Sequence, residues 1–356
     1  MSTPGSGEPT LVSELGERGV IERIRRRLPQ PPPHLLVGVG DDAAVAEPER
    51  GALELLTTDA LVEGIHFDRR FSSSADVGYK ALAVNASDIA AMGGTPRLAL
   101  LSLMLPELFL LRDLDGLIDG LLAMAASGGI AVAGGNITRS PGPLIVDVTL
   151  TGSCRRRKVL TRAGGRPGDA LYVTGTIGAG AAGLGWLRAN TTPSTGAPED
   201  GWPPVGVAPG DEALAECVRR HQRPEARVRV GALLGRTRAA SACMDLSDGL
   251  ADAVAQVAEA SGTGARIDAA TLPVHDGARC WFQSRREDPI AAAVAGGDDY
   301  ELLFAASPRM RGRLRGVIRE ARGVPVTCIG ALTAEPGIAL VRNGRPEPLP
   351  RGFVHF

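Results

Sequence analysis

The sequence predicts an α/β (α+β) protein of two domains, and three observations carry that reading. Its 356 residues exceed the roughly 100–200 of a typical single domain. Short apolar runs alternate with stretches of helical spacing along the chain. Near residues 155–166 a basic run, Arg155-Arg156-Arg157-Lys158, meets a Gly/Pro turn at 164–168, which divides residues 1–154 from residues 155–356.

Residues 1–9 are rich in Gly, Pro and Ser and read as mobile; Leu11, Leu15, Val20, Ile21, Ile24 and Leu28 then repeat at helical spacing up to a proline cluster, predicting a helix over 11–28. A turn at 38–44 precedes the apolar run 53–57, a strand expected to deliver Thr58 and Asp59 at its C-terminal end. Val77, Ala81, Leu82, Val84 and Ile89 predict a helix over 75–92, stopped by Gly93-Gly94 and Pro96. Residues 98–105 read as a strand, 107–127 as a helix, and 130–132 and 144–150 as strands flanking a glycine-rich turn at 134–142. The second half repeats the alternation: strand 170–174, helix 178–187, a surface insertion at 190–210, helices 211–220 and 226–235, strand 241–244 and helix 247–261. A strand or turn at 266–272 follows, residues 291–297 lead to a turn at 298–301 and strand 302–305, and a helix at 307–322 with strands near 326–329 and 338–341 completes the chain.

Composition excludes several functions. The 39 basic and 40 acidic residues leave a net charge of −1, so no global field recruits nucleic acid or an anionic membrane. Only Lys80 and Lys158 are lysine and neither precedes Ser or Thr, which rules out the G-x-x-x-x-G-K-[ST] phosphate loop. Five widely spaced cysteines without a C-x-x-C indicate neither a zinc site nor a disulfide framework and suit a reducing cytoplasm. The start carries no apolar signal core, and nowhere do 18 apolar residues run unbroken.

Aspartates at turns carry the chemical signal. Asp41 and Asp42 lie in GVGDDAAV, Asp59 in LLTTDAL, Asp88 in NASDIAAMG, Asp245 and Asp248 in MDLSDGL, and Asp298 and Asp299 in AGGDDYEL. Any one could be a helix cap. Five such segments in one chain point instead to hard oxygen ligands gathered for Mg²⁺ on substrate phosphates, because capping alone would use Ser, Thr and Asn interchangeably. MDLSDGL does not match a calcium loop, and no G-x-S-x-G or zinc-type histidine pair occurs. Gly178-Ala179-Gly180-Ala181-Ala182-Gly183 satisfies G-x-G-x-x-G, but the acidic partner expected about 20 residues later has no strand to sit on, so a closely packed glycine-rich helix is the better reading. His66 lies between two carboxylate turns, where a lone histidine is more often structural. Ser247 could cap the following helix and also face an anion there. Arg139 and Arg162, in or beside glycine-rich turns, suit phosphate contact, whereas the 155–158 run reads as a solvated linker.

In this order, GVGDDAAV, TTDALVEGIHF, YKALAVNASDIAAMGG, GGNITR, KVLTRAGGRPGD, LYVTG, MDLSDGL and GGDDYEL resemble the thiamine-monophosphate kinase family, of the aminoimidazole-ribonucleotide-synthetase-like superfamily, over residues 11–356. The resemblance implies an N-terminal α/β domain with a mixed sheet and flanking helices, forming a barrel with a dimer mate, and a C-terminal domain that is an α/β sandwich. It implies transfer of phosphate from ATP to thiamine monophosphate with Mg²⁺ in a cytoplasmic homodimer. The magnesium set would be Asp42, Thr57, Thr58, Asp59, Asp88, Asn136, Asp245 and Asp248, with Asp59, Asp88 and Asp248 catalytic. Gly135, Arg162 and Ser247 would face ATP; His66, Asp298 and Phe353 would touch the thiamine phosphate. The resemblance implies Glu in relatives at position 298, so Asp298 has a shorter reach with the same charge. The family's G-G-D-T-T block reads Gly134-Gly135-Asn136-Ile137-Thr138, so one expected carboxylate is an amide. Two rivals remain at this point: an ATP-dependent synthetase of the same superfamily, and a nucleotide-binding dimer impaired through Asn136.

Overall fold

The computed structural model describes residues 11–191, 210–350 and 352. The expected mobile N-terminus, most of the 190–210 insertion and Phe353 lie outside the described residues. Helix α1 (Val12–Arg27) is followed by the short strands β1 (Leu35–Val37) and β2 (Val45–Ala46), which pair around the expected 38–44 turn. Strand β3 (Ala52–Val62), helix α2 (Ser74–Ala91), strand β4 (Thr95–Leu105), helix α3 (Leu111–Gly128) and strands β5 (Ala131–Arg139) and β6 (Ile145–Arg155) complete the first half. Their sheet runs β3-β6-β4-β5, with β4 and β5 parallel and the other pairs antiparallel.

Helix α2 forms as its spacing predicts. Ser73 accepts from Asp76 N while Asp76 accepts from Ser73 N, a reciprocal cap that satisfies two of the free amides at the helix start. Small residues let it approach its neighbours: a Cβ at Gly78 would lie 1.9 Å from Leu117 O, and one at Gly120 would lie 1.8 Å from Ala75 O. Backbone contact at this range leaves α2 buried against both the sheet and α3, and fixes the orientation of every side chain it carries.

The second half comprises β7 (Ala170–Thr174), α4 (Ala179–Asn190), α5 (Glu212–Gln222), α6 (Val228–Thr237), β8 (Ala242–Asp245), α7 (Leu250–Ser261), β9 (Gly264–Asp268), α8 (Asp276–Ser284), α9 (Pro289–Ala295), β10 (Leu302–Ala306), α10 (Arg311–Glu320), β11 (Val326–Thr333), β12 (Ile338–Arg342) and β13 (Arg345–Pro348). Its seven-stranded sheet runs β13-β12-β9-β11-β7-β10-β8, which puts β8 at one edge. From there Asp245 reaches α2 of the first half, where its Oδ2 accepts from Ser87 Oγ at 2.7 Å. Both larger sheets are mixed, as expected for the first half.

Four local expectations are corrected. Strand β3 runs through Thr58 and Asp59 to Val62, because its eleven residues pair continuously with β6; Asp59 therefore projects from mid-strand. Gly134 and Gly135 are not in a turn. They belong to β5 beside an irregularity in its register with β4, and a Cβ at Gly135 would lie 1.9 Å from Leu101 O. Helix α3 starts at Leu111 rather than 107, after the turn at Glu107–Leu108. Helix α7 starts at Leu250 with Gly249 as its N-cap, so Ser247 does not cap it.

The glycine motif at 178–183 resolves as packing. A Cβ at Gly180 would lie 2.4 Å from Asp298 O, and one at Gly183 would lie 2.3 Å from Cys217 O. The start of α4 already holds a carboxylate: Asp299 accepts from Gly178 N at 2.6 Å and Gly180 N at 3.1 Å.

Candidate active site

Strand alternation in β3 and the helical repeat of α2 together set out the site. Thr57 and Asp59 point to the helix side of the sheet, where Thr57 Oγ1 donates to Asp88 of α2. Lys80, Val84 and Asp88 occupy successive turns of one α2 face, and all three line a cleft of about 670 Å³ between the two halves. The same cleft is lined by Asp59 and His66 from the first half and by Asp245, Ser247, Asp248 and Asp298 from the second.

At one end of this cleft the carboxylates repel one another. Burial and the charges of Asp88 and Asp245 push the Asp59 carboxyl up to about 7, and Asp59 and Asp88 share a hydrogen bond. Burial and the Asp88 charge push Asp245 up to about 7 as well, while burial raises Asp88. Arg162, its guanidinium held by Gln256, acts on Asp88 and Asp245 in the opposite direction. Among the described residues no three acidic, His or Cys side chains close on one point as a ready-made cage. The donor set nevertheless fits Mg²⁺, which takes one or two carboxylates per ion and completes its shell with water and phosphate oxygens. A divalent ion would supply the counter-charge that these buried carboxylates lack.

His66 Nδ1 accepts from Val62 N at 3.1 Å, so in the neutral ring Nε2 carries the proton. At the other end of the cleft, Asp298 and Tyr300 have φ of +66° and +50°, left-handed values that only a well-supported segment retains. Main-chain bonds from Asp298 N to Ser247 O at 2.8 Å and from Tyr300 N to Leu246 O at 3.0 Å lace this segment to the one bearing Asp245 and Asp248. Glu301, fully buried, anchors the next residue through Arg220, Arg227 and Thr174. Lys80 Nζ donates to Asp298 Oδ2 at 2.9 Å, and this cation holds the Asp298 carboxyl well below the usual range despite burial.

Not every candidate lies in this cleft. Thr58, one residue from Asp59, points to the opposite face of the sheet, where its Oγ1 is 3.0 Å from Asp147 Oδ1 and 3.1 Å from Thr149 Oγ1. Asp42, Gly135 and Asn136 line a second cavity of about 1300 Å³ with Asp147. Asn136 and Asp147 both face Ser102 of the intervening β4 in the strand register. The eight-residue magnesium set is therefore divided within one chain, with Thr57, Asp59, Asp88, Asp245 and Asp248 together on the helix side. Sequence reasoning missed Lys80, His221 and Asp147; the scarcity of lysine in an arginine-rich chain was the available signal for Lys80.

Residues 40–154 match the family described as AIR synthase related protein, N-terminal domain, and residues 166–343 match the corresponding C-terminal domain. The chain is similar to the thiamine-monophosphate kinase of Escherichia coli K12, with 37% identity over 350 residues, 96% of this chain and 98% of that protein. Among solved structures it resembles a thiamine-monophosphate kinase from Stenotrophomonas maltophilia K279a at TM-score 0.78 and 33% identity, covering 92% of this chain and 96% of that one. It also resembles a structure described as AaThiL complexed with AMPPCP and TMP, at TM-score 0.72 and 30% identity, covering 98% and 99% of the two chains.

Proposed function

The chain belongs to the thiamine-monophosphate kinase family of AIR-synthase-related proteins, and from that membership we propose how its cleft carries out the family's reaction. The enzyme is an ATP-dependent phosphotransferase that converts thiamine monophosphate to thiamine diphosphate, with ADP as the second product. The observation that carries the site assignment is the convergence of Asp59 and Asp88 from one half with Asp245 and Asp248 from the other around a single cleft.

The acceptor is a phosphate monoester with a second pKa near ~6, so at neutral pH it is largely a dianion and needs no general base. The barrier is approach of that dianion to the phosphates of ATP: two unit charges at ~4 Å repel by about 1 kcal/mol in water and about 4 at an effective dielectric of 20. Bound magnesium supplies charge that offsets this repulsion and favours in-line transfer. Thr57, Asp59, Asp88, Asp245 and Asp248 would hold it on the helix side; the neutral His66 presents Nε2–H to the acceptor, and Arg162 and Ser247 face the nucleotide. Asp298 receives the thiamine moiety. Transfer is direct, and a phosphorylated protein trapped in a single turnover would refute that.

Residues 1–154 would carry metal, nucleotide and dimer contacts, and residues 155–356 would complete both substrate sites. The sheet face opposite α2 leaves Leu56 73% and Leu100 39% exposed, which supports its burial against a second copy. In that homodimer, Asp42, Thr58, Gly135 and Asn136 would join the metal and nucleotide groups across the interface. No helix among the described residues is long and apolar enough to cross a membrane. All five cysteines are free, which supports a cytoplasmic setting. The decisive assay follows thiamine diphosphate and ADP together during a Mg²⁺ titration, with equal yields of the two expected. ADP without thiamine diphosphate would favour the synthetase reading, and ATP binding without turnover the impaired dimer.

A further inference from the structure

The Asp298 end of the cleft holds a built polar arrangement that the transfer chemistry does not use. Lys80 is 4% exposed at its side chain, and its Nζ donates to Asp298 Oδ2 at 2.9 Å. The other oxygen, Oδ1, accepts from Tyr300 Oη at 3.2 Å. His221 Nδ1 lies 3.1 Å from Oδ2 but lacks the alignment of a hydrogen bond, and this buried nitrogen has no hydrogen-bond partner among the described residues. His221 also lines the cleft, so Lys80, Tyr300 and His221 together surround the Asp298 carboxylate from the protein side. The Asp298 side chain keeps 28% exposure, the portion through which a ligand can reach it.

Choice of cation adds a second line. Of 39 basic residues only two are lysine, so this chain uses arginine almost wherever a positive charge is needed. Position 80 departs from that habit at a buried site on the inward face of α2, where a compact ammonium on a flexible stem reaches the Asp298 carboxylate as a point charge. Eight residues of helix, about 12 Å, separate Lys80 from Asp88. The charged groups at the two ends of this face are thus spaced for the two ends of one elongated substrate, phosphate at Asp88 and heterocycle at Asp298.

Resting on the reading that this cleft takes thiamine monophosphate, we propose that Lys80 is a positioning residue: its ion pair fixes the Asp298 carboxylate in the orientation that receives the polar heterocycle of the substrate. It acts through Asp298 and touches neither reacting phosphate. A purely structural ion pair predicts lower stability without selectivity between the two substrates, whereas a positioning role predicts a loss confined to one of them.

Steady-state kinetics of the full-length protein with Lys80→Gln, Asp298→Asn and the double variant separate these. Lys80→Gln is expected to raise the KM for thiamine monophosphate about tenfold, the loss of roughly one charge-assisted hydrogen bond, and to leave the KM for ATP and the half-saturating Mg²⁺ within about twofold. The double variant should bind thiamine monophosphate no more weakly than Asp298→Asn alone, because the ammonium then has no carboxylate to orient. An unchanged KM for thiamine monophosphate in folded Lys80→Gln, equal losses for both substrates, or additive losses in the double variant would each overturn the proposal. If Lys80→Gln alone fails to fold, the double variant removes both charges together, and its comparison with Asp298→Asn decides the matter. Wild-type turnover is measured alongside: its absence would remove the assigned reaction, whereas an active wild type with an indifferent position 80 removes only the role of Lys80.

Discussion

Asp59 combines a proposed metal-binding position with an unfavourable electrostatic one. It is crowded by Asp88 and Asp245 in a buried setting that raises its pKa to about 7, a state that a residue kept for stability would not occupy. Asp59→Asn is therefore expected to lower kcat/KM by about 10²–10³, the scale of losing one preorganised electrostatic contact, while raising the melting temperature of metal-free protein at pH 8. A coupled assay and thermal melts in chelator check the two halves of this expectation; near-normal turnover at saturating Mg²⁺ would remove Asp59 from metal binding. Asn136 poses the converse case, an amide where a carboxylate is expected, near Asp147 in the second cavity. Asn136→Asp should lower the Mg²⁺ concentration that gives half-maximal activity, and an unaltered titration would mean that position 136 does not contribute to metal affinity. The aspartates were legible in the sequence because each marks its own short segment. Lys80 was not, because its partner lies 218 residues away and only the folded chain brings them together.

At the level of elements, helix α2 carries the site, and its existence was plain from the spacing of Val77, Ala81, Val84 and Ile89. Strands were harder to bound. Gly134-Gly135 reads locally as a turn, yet pairing with β4 holds it in β5, and Thr58-Asp59 reads as a strand end although β6 pairs beyond it to Val62. In both cases hydrogen bonding to a distant strand outweighs local residue preference, which is why the division of Thr58 from Asp59 onto opposite sheet faces could not be read from the motif. The α2–α3 crossing depends on backbone contact at Gly78 and Gly120. Gly120→Ala would place a methyl 1.8 Å from Ala75 O, so the helices must separate. Overpacking of this kind costs about 1–3 kcal/mol. A fall in melting temperature of several degrees is expected, with loss of activity through displacement of the Lys80–Asp88 face. Unchanged melting would show that α3 can shift without strain.

For the whole molecule, the carboxylate crowd ties stability to pH and to metal, because Asp59 and Asp88 come from one half and Asp245 from the other. In the unfolded chain Asp245 titrates near the ordinary 3.8, whereas in the folded, metal-free protein burial and the Asp88 charge move it to about 7. Between these values the folded state binds the proton and the unfolded state does not, so rising pH lowers stability from about pH 4 to about pH 7, above which the full penalty stands. Asp298 acts oppositely: Lys80 lowers its pKa, so its contribution is complete above the ordinary carboxylate range and is lost as pH falls below it. Metal-free protein should therefore melt highest in mildly acidic buffer, near pH 4 to 5, and progressively lower toward pH 8. On the proposed assignment magnesium would bind the ionised carboxylates, so it should raise the melting temperature chiefly at and above neutral pH; at a hundredfold excess over its Kd the gain is about 2.7 kcal/mol. Melting curves from pH 4 to pH 8, with chelator and with Mg²⁺, read this directly. The two series should converge in acid and diverge above neutrality. A Mg²⁺ increment independent of pH would place the ion away from Asp59, Asp88 and Asp245, and with it the premise that these three oxygens hold the charge under which the two phosphorylated reactants meet.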